Sequence, residues 1–202
     1  MKRALIGIHF LASIFCALQA SSQEFVAVKT NLLYSAVGFT PNVGAEFAIN
    51  DRTTIDLSAS YNWFNLSGAR NNNKKQVHWM VKPEFRYFLN ERLDKRFNGH
   101  FFGVHALYTQ YNIGGHSMPM LFGKQSDQFR HEGFAYGTGV SYGYLLQLAK
   151  RWAVEFDLGL GYMRMKYDKY ACQGCGQLYE KGKTKNYFGP TQAGISVVFL
   201  IN

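Results

Sequence analysis

Acid and proline are scarce in this chain. Asp and Glu number 13 against 22 Lys and Arg, and there are 4 prolines in 202 residues. Charged residues make up 17%, below the roughly 25% of ordinary soluble domains. Cysteine is nearly missing too, at 3, which excludes a disulfide-framed scaffold and leaves a structural zinc site short of its about four ligands. No stretch after the first 23 residues is an unbroken apolar run long enough for a spanning helix. No Lys/Arg run interleaved with aromatics marks a nucleic-acid surface, so no nucleic-acid partner is expected. In place of these stand Tyr, Phe and Trp, 16% of the chain, and 20 glycines. That mixture suits β-structure with one face turned to something other than water.

Residues 1–23 read as a secretory signal. Lys2 and Arg3 supply the positive start, Leu5 to Leu18 is apolar, and the small residues Ala20, Ser21 and Ser22 follow. The apolar part is shorter than the ~20 residues of a membrane anchor. Phe15 stands before Cys16 where a lipoprotein signal places a small residue, so a lipid anchor is rejected. Removal of Lys2 and Arg3 lowers the net charge from +9 to +7. The expected organisation is therefore a signal, 1–23, and one domain, 24–202.

Period 2 governs that domain. From Thr54 to Phe64, Ile55, Leu57, Ala59, Tyr61 and Trp63 share one face, and Asp56, Ser58, Ser60 and Asn62 share the other. Val77 to Leu89 repeats the pattern, with Trp79, Phe85 and Tyr87 opposed to Lys82, Glu84 and Arg86. Phe134 to Leu148, Arg151 to Met165 and Gly194 to Ile201 do the same. Weaker strands run over Phe25–Ala36, Asn42–Asn50 and Gly99–Ile113. The count is eight, and Pro83 falls inside one of them, where its missing N–H predicts a broken ladder bond or a bulge.

Connections alternate in length. Asn50-Asp51-Arg52 and Ala149-Lys150-Arg151 are tight turns, whereas Asn65–Gln76, Gly114–His131 and Asp168–Lys185 are long and polar. Two connections fit less well: Asn90–Asn98 is longer than a tight turn, and Gly38–Pro41 is short. Short turns at one end and long loops at the other are the asymmetry of an outer-membrane barrel. Eight strands leave an interior only wide enough for side chains, and the aromatics of every strand would overfill it. The large apolar face is therefore expected outside, with Gly, Ser and the charges inside. The predicted fold is an all-β, eight-stranded antiparallel up-and-down transmembrane barrel.

The predicted interior collects Lys29, Glu46, Asp56, Lys82, Glu84, Arg86, Glu155 and Asp157. Charges in a narrow low-dielectric tube must pair or neutralise, so a salt-bridge plug is expected rather than an ion path. His78 and His105 share this face. No Ser or Cys nucleophile stands at a matching spacing, and His131 lies apart, so no catalytic residue, metal or cofactor is expected. Cys172 and Cys175, in C-Q-G-C, are the only cysteines after the signal, and a local disulfide is their simplest state in an oxidising compartment. Arg70, Lys74, Lys75, Lys181, Lys183 and Lys185 make the long loops basic, at the height of lipopolysaccharide phosphates.

Whole phrases carry a resemblance. VKTNLLY from Val28, PNVGAEFAI from Pro41, SYNWF from Ser60, HWMVKPEFRYFL from His78, RFNGHFFGVHA from Arg96, GVSYGYLL from Gly139 and NYFGPTQAGISV from Asn186 together resemble a Bacteroidetes family of small outer-membrane β-barrel proteins. That family is labelled only as a domain of unknown function. The resemblance implies a cell-envelope location and an encoding near fimbrial or other surface-structure genes; it implies no catalytic residue.

The expected function is thus a non-enzymatic outer-membrane barrel with a structural or surface-accessory role. Its expected partners are outer-membrane lipid and lipopolysaccharide, the barrel-assembly machinery, and surface or fimbrial proteins. Two alternatives stand beside it: an outer-membrane enzyme acting on lipid A or phospholipid, and a soluble secreted ligand-binding barrel.

Overall fold

A computed structural model describes residues 24–66, 74–91, 97–171 and 177–201. The signal, Arg70, Cys172 and Cys175 lie outside the described residues. The strands are β1 (Glu24–Asn31), β2 (Asn42–Ala48), β3 (Thr53–Leu66), β4 (Lys74–Phe88), β5 (Gly99–Gly114), β6 (Arg130–Gln147), β7 (Trp152–Tyr170) and β8 (Leu178–Leu200). Each pairs antiparallel with its chain neighbours, and β1 pairs with β8, so the eight strands close into a ring. Among the described residues no helix is long and apolar enough to cross a membrane.

The alternation decides which side chain points where. Trp63, Trp79, Val104, Val140, Leu158 and Phe188 are exposed on the outside, while Lys29, Glu46, Asp56, Lys82, Glu84 and Arg86 are buried inside. Lumen glycines make the room. A Cβ at Gly103 would run into the Glu84 carboxylate and Ser141, and one at Gly194 into the Asp157 carboxylate.

The interior is layered, and this departs from the expected filling of small and ionic groups. Phe88, Phe97, Phe101, Leu145, Val198 and Leu200 form an apolar plug at the end with the tight turns. At the other end Tyr111, Met165, Tyr167 and Tyr187 pack with Leu121 and Phe122. The charges lie between these two layers.

Several strand limits and connections differ from the sequence reading. The strand expected through Ala36 stops at Asn31, because the Asn31 side chain accepts from the N–H of Leu33 and Tyr34 and caps helix α1 (Leu32–Gly38). The polar stretch expected as a loop over Asp168–Lys185 is mostly sheet, since β7 runs to Tyr170 and β8 starts at Leu178. Gly114–His131 holds a short helix, α2 (Pro119–Phe122), and a 3-10 turn, which carry Phe122 onto His131 with ring centroids 4.2 Å apart. Pro83 keeps its register with Leu57 on β3. On the β5 side the pairing lapses between Val81↔Tyr108 and Glu84↔His105 without an inserted residue, so the missing N–H costs ladder bonds and makes no bulge.

Because β1 and β2 are short, the ring is not uniform in height. β1 ends at Asn31 opposite Ser196, and β2 begins at Asn42 opposite Ser60. Beyond those points, among the described residues, α1 packs on β8 in place of a paired strand.

Candidate functional site

Six of the interior charges are drawn into one ion-pair network, and the strand register is what joins them. Glu46 on β2 faces Asp56 on β3, Asp56 faces Glu84 on β4, and Arg86 stands two residues further along β4. Lys29 on β1 and Glu155 on β7 close the ring from the far side. The Lys29 Nζ lies 2.8 Å from Asp56, 3.1 Å from Glu155 and 3.5 Å from Glu46. The Arg86 guanidinium lies 2.8 Å from Glu84 and 2.8 Å from Glu155. It also sits over the Phe101 ring, 4.5 Å from its centroid. That contact joins the ionic layer to the apolar plug.

Neutral groups complete the acceptors. Thr54 donates to Glu46 at 2.6 Å, Ser58 to Asp56 at 2.6 Å and Gln192 to Glu84 at 3.2 Å. Ser141 also donates to Glu84. Sequence reading missed these four, because an inward Ser, Thr or Gln looks like any other polar residue of a strand. Their signal lies only in the register.

Lys82 and Asp157 are set apart from the network. Both are buried, and they line a cavity of about 40 Å³ with Tyr34 of α1, Ser60 and Gln192. Asp157 Oδ1, Gln192 Oε1 and Ser60 Oγ have no hydrogen-bond partner among the described residues. The two histidines are separated as well. His105 Nε2 lies 2.9 Å from Thr191 Oγ1, whereas His78 faces Tyr111 in the neighbouring strand. Among the described residues no three His, Cys, Asp or Glu side chains are grouped as metal ligands.

Chemically this arrangement is a lock. Arg86 cannot deprotonate in a protein, and it bridges carboxylates from two strands far apart in sequence. A paired and hydrogen-bonded network of this sort holds strands in register and fills the tube; removing one partner would leave an uncompensated buried charge.

The comparisons agree with a fold of unassigned activity. No curated protein matches the chain, and no solved structure does. A family model described as "Protein of unknown function (DUF3575)" matches residues 8–201. With that match spanning nearly all of it, the chain belongs to the DUF3575 family.

Proposed function

We propose that the protein is an integral outer-membrane barrel with a non-enzymatic, structural or surface-accessory role. One observation carries the reading: the composition of the outward face of β7. From Trp152 through Val154, Phe156, Leu158 and Leu160 to Tyr162 this face is apolar or aromatic, and then Arg164 and Lys166 follow. At about 3.3 Å per residue and a tilt of roughly 40°, that run covers about 25 Å, the height of a barrel's apolar band. Lys150 and Arg151 bound it at the other end.

Neighbouring strands repeat the belt. Tyr61, Trp63, Trp79, Tyr108, Tyr136 and Tyr162 stand near its loop end, and Tyr87, Phe102 and Trp152 near its turn end. Aromatic residues favour the two membrane–water boundaries. Exposed side chains such as Val104 (57%), Val140 (62%) and Leu158 (68%) fill the middle. A water-soluble barrel would be expected to bury such a surface. With the signal leading the chain to export, the tight turns face the periplasm and the basic ends of β4 and β8 face outside. The ionic and apolar layers fill the lumen, which argues for a support rather than a conduit. The resemblance noted for the sequence adds a surface-structure setting, with lipopolysaccharide, the barrel-assembly machinery and fimbrial or other surface proteins as partners.

Leu158→Arg tests the reading. At the middle of a lipid-facing wall an arginine costs about 2–4 kcal/mol; on a water-facing wall it costs almost nothing, since Leu158 is already exposed. Urea titration of refolding into lipid vesicles separates the two, and extraction of the native protein without detergent would overturn the proposal.

A further inference from the structure

Arg164 and Lys166 stand out among the cations of the loop end. They are two residues apart on the outward face of β7, both exposed, and about 6–7 Å apart by the strand rise. Three other basic residues near that end are engaged. Lys183 pairs with Glu180, Arg130 pairs with Glu132 at 3.2 Å, and Lys169 lies 3.6 Å over the Phe129 ring. Arg164 and Lys166 have no ion-pair partner among the described residues. The next outward acid along the strand, Asp168, is occupied by the Gly182 N–H at 2.6 Å.

Their surroundings are suited to a phosphate ester. Register places Arg164 between Tyr136 on β6 and Asn186 on β8, and Lys166 between Phe134 and Thr184. A guanidinium fork with an ammonium beside it is the donor set that grips phosphate oxygens, and Asn186, Thr184 and Tyr136 add neutral donors around it. Directly below, Tyr162 and Phe188 face each other across β7 and β8. Below them again begins an apolar groove of about 720 Å³ that runs from Pro190 on β8 past Leu160, Leu158 and Val140 to Val104 on β5 and Phe85 on β4. Charge above and grease below are the two halves of an amphiphile.

We infer that the outward wall from β4 to β8 holds a phosphate-bearing glycolipid of the outer leaflet. Its phosphate lies against Arg164 and Lys166, and an acyl chain lies in the groove. This rests on the membrane reading above and deepens it by naming one lipid site.

The test places the full mature chain in phosphatidylcholine nanodiscs containing bis-phosphorylated lipid A or the same lipid with its phosphates removed. Bound lipid is then counted by native mass spectrometry. The wild type should retain the phosphorylated form several-fold over the other. The double variant R164Q/K166Q should lose that preference, while K181Q/K183Q on the neighbouring hairpin should keep it. Excess inorganic phosphate should not displace the lipid; displacement would reduce the site to an anion patch and overturn the lipid assignment. Equal loss in both double variants would show diffuse charge and no site. An inserted barrel with no preference removes this inference alone, whereas a chain that never enters the nanodisc removes the membrane reading with it. Because Arg164 and Lys166 are exposed, the variants should fold, which heat-modifiable migration in gels verifies.

Discussion

Arg86 and Glu155, 69 positions apart, meet at 2.8 Å in the middle of the tube. The contact ties β4 to β7 across the lumen, between strands that do not pair with each other. One end of the same guanidinium holds Glu84 of its own strand. The pair therefore braces two walls of the ring that share no ladder bonds, while balancing charge inside it.

Arg86→Met should cost about 3–5 kcal/mol, because it strands buried carboxylates that have lost a partner. Lys29 alone would then face Glu46, Asp56 and Glu155. Urea midpoints in vesicles measure the loss. Adding Glu84→Gln and Glu155→Gln to Arg86→Met should recover part of it; no recovery would mean that Arg86 stabilises by packing on Phe101 rather than by charge.

The Asn42 side chain acts as a substitute strand partner. Its Oδ1 accepts from the Asn31 N–H at 2.6 Å and its Nδ2 donates to the Asn31 carbonyl at 2.9 Å. Asn42→Ala leaves the Asn31 N–H open at the point where β1 ends, while the Asn31 carbonyl keeps the Ser35 hydroxyl at 3.2 Å. The expected cost is about 1–3 kcal/mol, with faster amide exchange confined to α1 and the ends of β1 and β2.

Gly143→Val should prevent closure of the ring. A Cβ there would overlap the Phe101 ring and crowd the Phe156 carbonyl. Phe101 is fully buried beside Phe88, so it has nowhere to move. The double variant Gly143→Val with Phe101→Ala should refold better than the single one, as read by heat-modifiable migration.

His131 gives the loop end a dependence on pH. Burial, helped by Lys169 and Lys185, lowers its pKa from 6.5 to about 4. The unfolded chain binds more protons between those values, so stability rises with pH across that window. The contribution is complete above about 6.5 and is lost as pH falls toward 4. Phe122 stacks on this ring, so proteolysis of the segment 115–129 should quicken on acidification. His131→Phe should flatten the dependence; an unchanged profile would assign it to another group.

Much of this molecule could be read from the order of its residues. A period of two with aromatics on one side and Gly, Ser and charge on the other already implies strands whose greasy face turns outward, since side-chain direction follows backbone alternation and nothing else. That reasoning reached Trp63, Trp79 and Leu158 on the outside and Glu84 and Arg86 on the inside. It reached the membership of the ionic interior as well, but not its wiring.

Which charge meets which was decided by register and by the closure of β1 on β8, because the joining contacts link residues distant in sequence, such as Arg86 with Glu155 and Lys29 with Glu155. So Lys29 finds Glu155 while Lys82 and Asp157, equally inward by pattern, form no ion pair among the described residues. The short reach of β1 was hidden too: Asn31 can continue a strand or cap a helix, and only the packing of α1 on β8 selects the cap. Alternation is a local property of the chain, whereas pairing across a tube is a property of the closed ring.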